Sequence, residues 1–147
     1  MATAYPVKLS VTLTPVHHDR PLPVLVGIDQ NTTTVNLDKT TTINWEVKAR
    51  HGCQLSVEFT NKQDQEAVVV ESVSFFGIED PKFAWAGVYE PVYPEPWATE
   101  QHDQGVVLKP RLCPHTYLGW NGKWTLTFDV PVFTWIHKIQ NLGWIYT

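Results

Sequence analysis

Charge is scarce in this chain: Asp, Glu, Lys and Arg together make up 18% of it, against about 25% in an average soluble domain. That scarcity suits a β-rich protein whose outward strand positions are threonine and serine, or one that hides surface in an oligomer. A basic patch is also missing, and with it the electrostatic footprint of a nucleic-acid binder. Cysteine is limited to Cys53 and Cys113, sixty residues apart, which is not the density of a disulfide scaffold. No run approaches the roughly 18 apolar residues of a membrane span. The opening MATAYPVKLS lacks the basic and apolar regions of a secretory leader. As written, the expectation is a protein that stays where it is made, in the cytoplasm, with no membrane partner.

Catalytic signatures are missing too. G-x-S-x-G, H-E-x-x-H, a Walker loop, G-x-G-x-x-G and C-x-x-C all fail to occur, so the chain reads as a non-enzyme with no assigned cofactor. Cys113-Pro114-His115 offers one thiol and one imidazole, too few to fill a copper or zinc shell. His17-His18-Asp19 and Glu100-x-His102-Asp103 would hold a divalent ion only if their loops met. Asp29-x-Asn31, with Asp38 beyond, lacks the glycine and terminal glutamate of an EF-hand loop and reads as a turn. No metal site is assigned.

What the chain does have is alternation. Val7, Leu9, Val11 and Leu13 alternate with Lys8, Ser10, Thr12 and Thr14; Ile43, Trp45 and Val47 alternate with Thr42, Asn44, Glu46 and Lys48. Leu55, Val57 and Phe59 repeat the pattern, as do Trp124, Leu126, Phe128 and Val130. Period-two patterning is the mark of half-buried strands. Ala49-Arg50-His51-Gly52 fits a hairpin loop between the second and third of these runs. Ala67 to Phe76 is β-branched and aromatic almost throughout, as in a strand covered on both faces. Gly105–Lys109, Val132–His137 and Leu142–Thr147 are expected to be further strands, with a bend at Pro131. At 147 residues the chain fits one domain. Eight to nine short strands and no sustained helical periodicity predict an all-β antiparallel sandwich of immunoglobulin-like or jelly-roll type.

One stretch breaks the pattern. Residues 77–104 carry Phe83, Trp85, Tyr89, Tyr93 and Trp97, and six acidic side chains against Lys82. That gives the segment a charge of −5, while the rest of the chain, with ten basic and nine acidic residues, is +1. Four-residue steps from Trp85 to Trp97 would align on a helix, but Pro91, Pro94 and Pro96 oppose one. The expectation is a long, extended loop laid over a framework that builds its core without it.

Two functional readings follow. In the first, the loop and the Trp120 turn bind a neutral polar ligand such as an oligosaccharide. Trp85, Tyr89, Tyr93, Trp97 and Trp120 would pack on sugar CH faces; Glu95, His102, Asp103 and Asn121 would meet the hydroxyls. In the second, the same aromatics form the centre of a homo-oligomer interface, since tyrosine and tryptophan gather at interface cores while lysine is depleted there.

Overall fold

The computed structural model describes residues 4–16, 19–60, 62–63, 66–130 and 132–140. In chain order the elements are β1 (Tyr5–Val16), β2 (Leu22–Ile28), β3 (Asn31–Leu37), β4 (Thr41–Ala49), β5 (Cys53–Phe59), β6 (Ala67–Phe75) and β7 (Ile78–Glu79). These are followed by α1 (Pro81–Trp85), β8 (Val88–Val92), α2 (Trp97–Asp103), β9 (Tyr117–Leu118), β10 (Asn121–Phe128) and α3 (Val132–Gln140). Among the described residues all strand pairings are antiparallel, in two five-stranded sheets. One sheet runs β4–β1–β6–β7, with β9 also on β6; the other runs β3–β2–β5–β10–β8. The protein is therefore the antiparallel β-sandwich that its alternation predicts.

Alternation sets the core. Val7, Leu9, Val11 and Leu13 from one sheet meet Leu55, Val57, Phe59, Trp124, Leu126 and Phe128 from the other, all buried. Their polar alternates form the outer face, where Thr12 bonds Thr42 and Thr14 bonds Thr40 across the β1–β4 pair.

Several expectations need correction. β4 and β5 are not a hairpin: they belong to different sheets, so residues 50–52 carry the chain from one layer to the other. The loop residues were compatible with either connection, and alternation does not say which strand is the neighbour. Residues 105–109 form no strand. The run from Val132 is helical: Val132 and Ile136 are buried, Trp135 and Ile139 half-buried, spaced as on one helix face. Trp135 packs against Phe75 at 5.2 Å and Phe83 at 5.7 Å. Pro131, Leu142–Thr147, His17 and His18 lie outside the described residues. Cys53 is buried and Cys113 exposed, and both are free thiols.

The largest correction concerns residues 77–104, which are not one extended loop. They hold β7, α1, β8 and α2, because each proline stands where it does least harm. Pro81 is at the start of α1, behind an Asp80 cap whose Oδ1 accepts from the Lys82 amide at 2.8 Å. Pro91 lies in β8, an edge strand. Pro94 and Pro96 precede α2 and supply carbonyls to the amides of Ala98 and Glu100. Nor does the core close without this stretch: Phe83 and Tyr89 are 0% exposed. At roughly 1.5–3 kcal/mol for each large apolar side chain buried, they are a substantial share of a domain's net stability of about 5–15 kcal/mol.

Candidate ligand-binding site

The aromatic residues of the acidic stretch divide into three environments. Tyr89 is in the core. Its hydroxyl donates to the Trp120 carbonyl at 2.5 Å and accepts from the Trp120 amide at 3.2 Å, and its ring stacks on His115 at 5.2 Å. Burial pushes its phenol up to about 12. Tyr89 thus supports the Trp120 turn from beneath and has no surface to offer a ligand, which corrects its place among the expected contact residues.

Tyr93, Trp97 and Trp120 form a half-buried cluster. Tyr93 meets Trp120 edge-on at 5.1 Å, and Trp97 is tilted 6.1 Å from Tyr93 and 6.0 Å from Trp120. The Tyr93 hydroxyl donates to the Lys109 carbonyl at 2.6 Å. These rings hold one another, fastening α2 and residues 105–109 to the end of β10. The polar candidates nearby are engaged locally as well. Glu95 accepts from the Thr99 hydroxyl at 2.5 Å and Asn121 Oδ1 accepts from the Lys62 amide at 2.8 Å. His102 and Asp103 are exposed at the C-terminal end of α2.

Trp85 is different. It is 54% exposed, yet it ends a helix anchored by buried Phe83 and Ala84, and its carbonyl accepts from the Cys113 thiol at 3.5 Å. A large ring is therefore held in water on a fixed base. Beside it lies a cleft of 390 Å³ lined by Glu71, Ser72, Glu79, Asp80, Trp85 and Thr116, among others. The cleft follows from sheet topology. β1 takes one edge of β6; on the other, β9 pairs with Val68–Val69 and β7 with Ser74–Phe75. Between them the Val70 amide donates to the Thr116 carbonyl at 2.8 Å, and Glu71 and Ser72 have no strand paired on that edge among the described residues. Residues with carboxylates and hydroxyls line the cleft there.

Of the expected contact residues, only Trp85 lines this cleft, and it does not join Tyr93, Trp97 and Trp120 in one surface. Glu71, Ser72, Glu79 and Thr116 were missed. The available signal was Glu71-Ser72, the polar pair that interrupts the β-branched run of β6. Among the described residues, no group of three His, Cys, Asp or Glu side chains is placed to hold a metal ion, and no helix is long and apolar enough to cross a membrane.

No protein-family model matches the chain, and no curated protein matches it. Among solved structures, vCBM60 in complex with galactobiose superposes with a TM-score of 0.52, covering 84% of this chain and 99% of that one at 16% identity. The likeness is one of fold. That neighbour is a carbohydrate-binding module built as a β-sandwich, and the two-sheet architecture is what this chain shares with it.

Proposed function

We propose that this chain is a non-catalytic carbohydrate-binding module that holds a neutral oligosaccharide in the cleft beside Trp85. The observation that carries the reading is Trp85 itself, more than half exposed on a rigid base at the wall of a 390 Å³ cleft. Pockets that hold small ligands combine apolar or aromatic walls with a few placed polar groups, at about 300–1,000 Å³. A sugar has that mixed character: its CH face packs on an indole, and its hydroxyls need acceptors and donors. Glu71 and Glu79 supply acceptors and Ser72 and Thr116 supply both. Their carboxylates select against uronic or sulfated sugars by like-charge repulsion. The fold shared with a sugar-bound module supports the same class of ligand.

Titration calorimetry against a panel of neutral oligosaccharides, galactobiose included, tests this. Trp85→Ala should weaken binding by about tenfold or more, equivalent to about 1.4 kcal/mol, while Trp97→Ala leaves affinity unchanged. Binding that survives Trp85→Ala but is lost in a folded Trp97→Ala variant would move the site to the Tyr93–Trp97–Trp120 cluster. Failure of the wild-type protein to bind any neutral sugar would end the proposal.

A further inference from the structure

The two sheets differ in how their edges are guarded. β7 and β9 are two residues each, and β8 has five with Pro91 among them. β3 is mostly exposed polar residues, with only Val35 half-buried and Leu37 buried. Short strands, proline and polar surface are the usual protections of an exposed edge. β4 is neither short nor broken by proline, and its polar residues Thr42, Asn44, Glu46 and Lys48 lie on its outer face alone. It pairs with β1 through nine consecutive residues, Tyr5↔Ala49 to Leu13↔Thr41, with no register shift. It contains no proline or glycine, and no charge points inward.

Its inner face is also unfinished. Ile43, Trp45, Val47 and Ala49 are all only half-buried, while their β1 neighbours Val7, Leu9 and Val11 are at most 1% exposed. Trp45 and Val47 line an open cleft with Ile28 and Asn31. Among the described residues, β1 is the one strand that pairs with β4. The edge thus has a free row of main-chain hydrogen-bonding groups and an apolar stripe still partly in water.

We propose that two copies of the chain associate edge to edge through β4, antiparallel about a two-fold axis at Val47. Charge complementarity selects both the occupant and the register. In a two-fold antiparallel pair, one residue faces its own copy and the others pair symmetrically about it. Centred on Val47, Glu46 faces Lys48 of the second copy and Lys48 faces Glu46, on the exposed outer face, so both charges of β4 are matched, in two symmetric pairs. Centred on Trp45, Glu46 would face Asn44 and Lys48 would face Thr42, and neither charge is matched. On the inner side the Val47 pair, with Trp45 against Ala49, covers the stripe that β1 leaves open. This association is independent of sugar binding and leaves the Trp85 cleft, on the far edge of β6, uncovered.

Sedimentation velocity over a range of protein concentrations should show a monomer–dimer equilibrium. Lys48→Glu sets like charges opposite each other twice and should raise the dissociation constant by about tenfold or more. The double variant E46K/K48E should return it to near the wild-type value. Both positions are exposed on the outer face, so circular dichroism should show unchanged folding. In a Cys113→Ser background, Val47→Cys should form a disulfide-linked dimer in air, because facing Cα atoms stand about 4.5–5.5 Å apart. Ile43→Cys, far from its own copy in this register, should not. A wild-type protein that stays monomeric at every concentration overturns the proposal. So does a dimer that Lys48→Glu weakens without rescue by the double variant, or one that Ile43→Cys links and Val47→Cys does not.

Discussion

The Tyr89 hydroxyl and the Trp120 main chain are joined by two hydrogen bonds, one donated to the carbonyl at 2.5 Å and one accepted from the amide at 3.2 Å. A single core side chain thereby satisfies both polar groups of a turn residue whose indole belongs to the aromatic cluster above. Tyr89→Phe keeps the packing and removes both bonds. With polar groups left unpaired in a part-buried site, the expected cost is about 1–3 kcal/mol, read from urea unfolding. A variant as stable as wild type would show that water replaces the hydroxyl.

Arg20 grips Glu66 with Nε to Oε2 and Nη2 to Oε1, each 2.9 Å, and the Gln63 amide donates to Oε1 at the same distance. The hydrogen bond from Arg20 holds the Glu66 carboxyl below its ordinary value of 4.5, with burial opposing it. Because the folded value is the lower one, the stability this carboxylate contributes is full above pH 4.5 and is lost as pH falls through the folded value. Glu66→Gln should lower the melting temperature at neutral pH and flatten its decline on acidification. Parallel calorimetric scans of the two proteins across the acid range would show two curves converging as pH drops; curves that stay parallel would refute the linkage.

Gly87 is where the chain passes over the Trp124 ring. A Cβ built there would stand 2.1 Å from Trp124 Cε2, and Trp124 is wholly buried between the sheets. Gly87→Ala should therefore cost about 3 kcal/mol, the upper part of the usual range for overpacking. Denaturant midpoints measure it directly, and a change under half that size would mean α1 and β8 can part to make room.

The strands with strict alternation, β1, β4, β5 and β10, were legible in the sequence, and so was the sandwich they build. What alternation cannot carry is which strand sits beside which: β4 and β5 look like a hairpin and are split between sheets. The two longer helices were hidden for different reasons. α3 shows Val132, Trp135, Ile136 and Ile139 at helical spacing, but over too few residues to outweigh its β-branched and aromatic content. α2 follows prolines that forbid a helix through them and yet favour one starting after them. At the proposed cleft, Trp85 could be singled out because the stretch that carries it is unusual in composition. Glu71, Ser72 and Thr116 could not, since only the gap between β7 and β9 brings them to it.

The two thiols should separate cleanly. Cys53 is 3% exposed and its thiol is pushed up to about 11, chiefly by burial, whereas Cys113 is exposed. Since the thiolate is the reactive form, a native titration with a thiol-reactive dye at neutral pH should label one cysteine per chain, at Cys113, and denaturation should release the second. Peptide mapping of the native product identifies the site; rapid labelling of both would mean that residues 50–53 open readily.

β1 is the first strand among the described residues and lies inside its sheet, flanked by β4 and β6. Its second partner arrives late: Leu9 faces Phe75, 66 residues further on. During synthesis, then, a strand with a wholly buried apolar face must wait for β6 with one edge unsatisfied. Closing so long a loop is the kind of step that slows folding. A nascent or truncated chain ending before residue 67 exposes that edge, and there the hazard of mispairing is greatest.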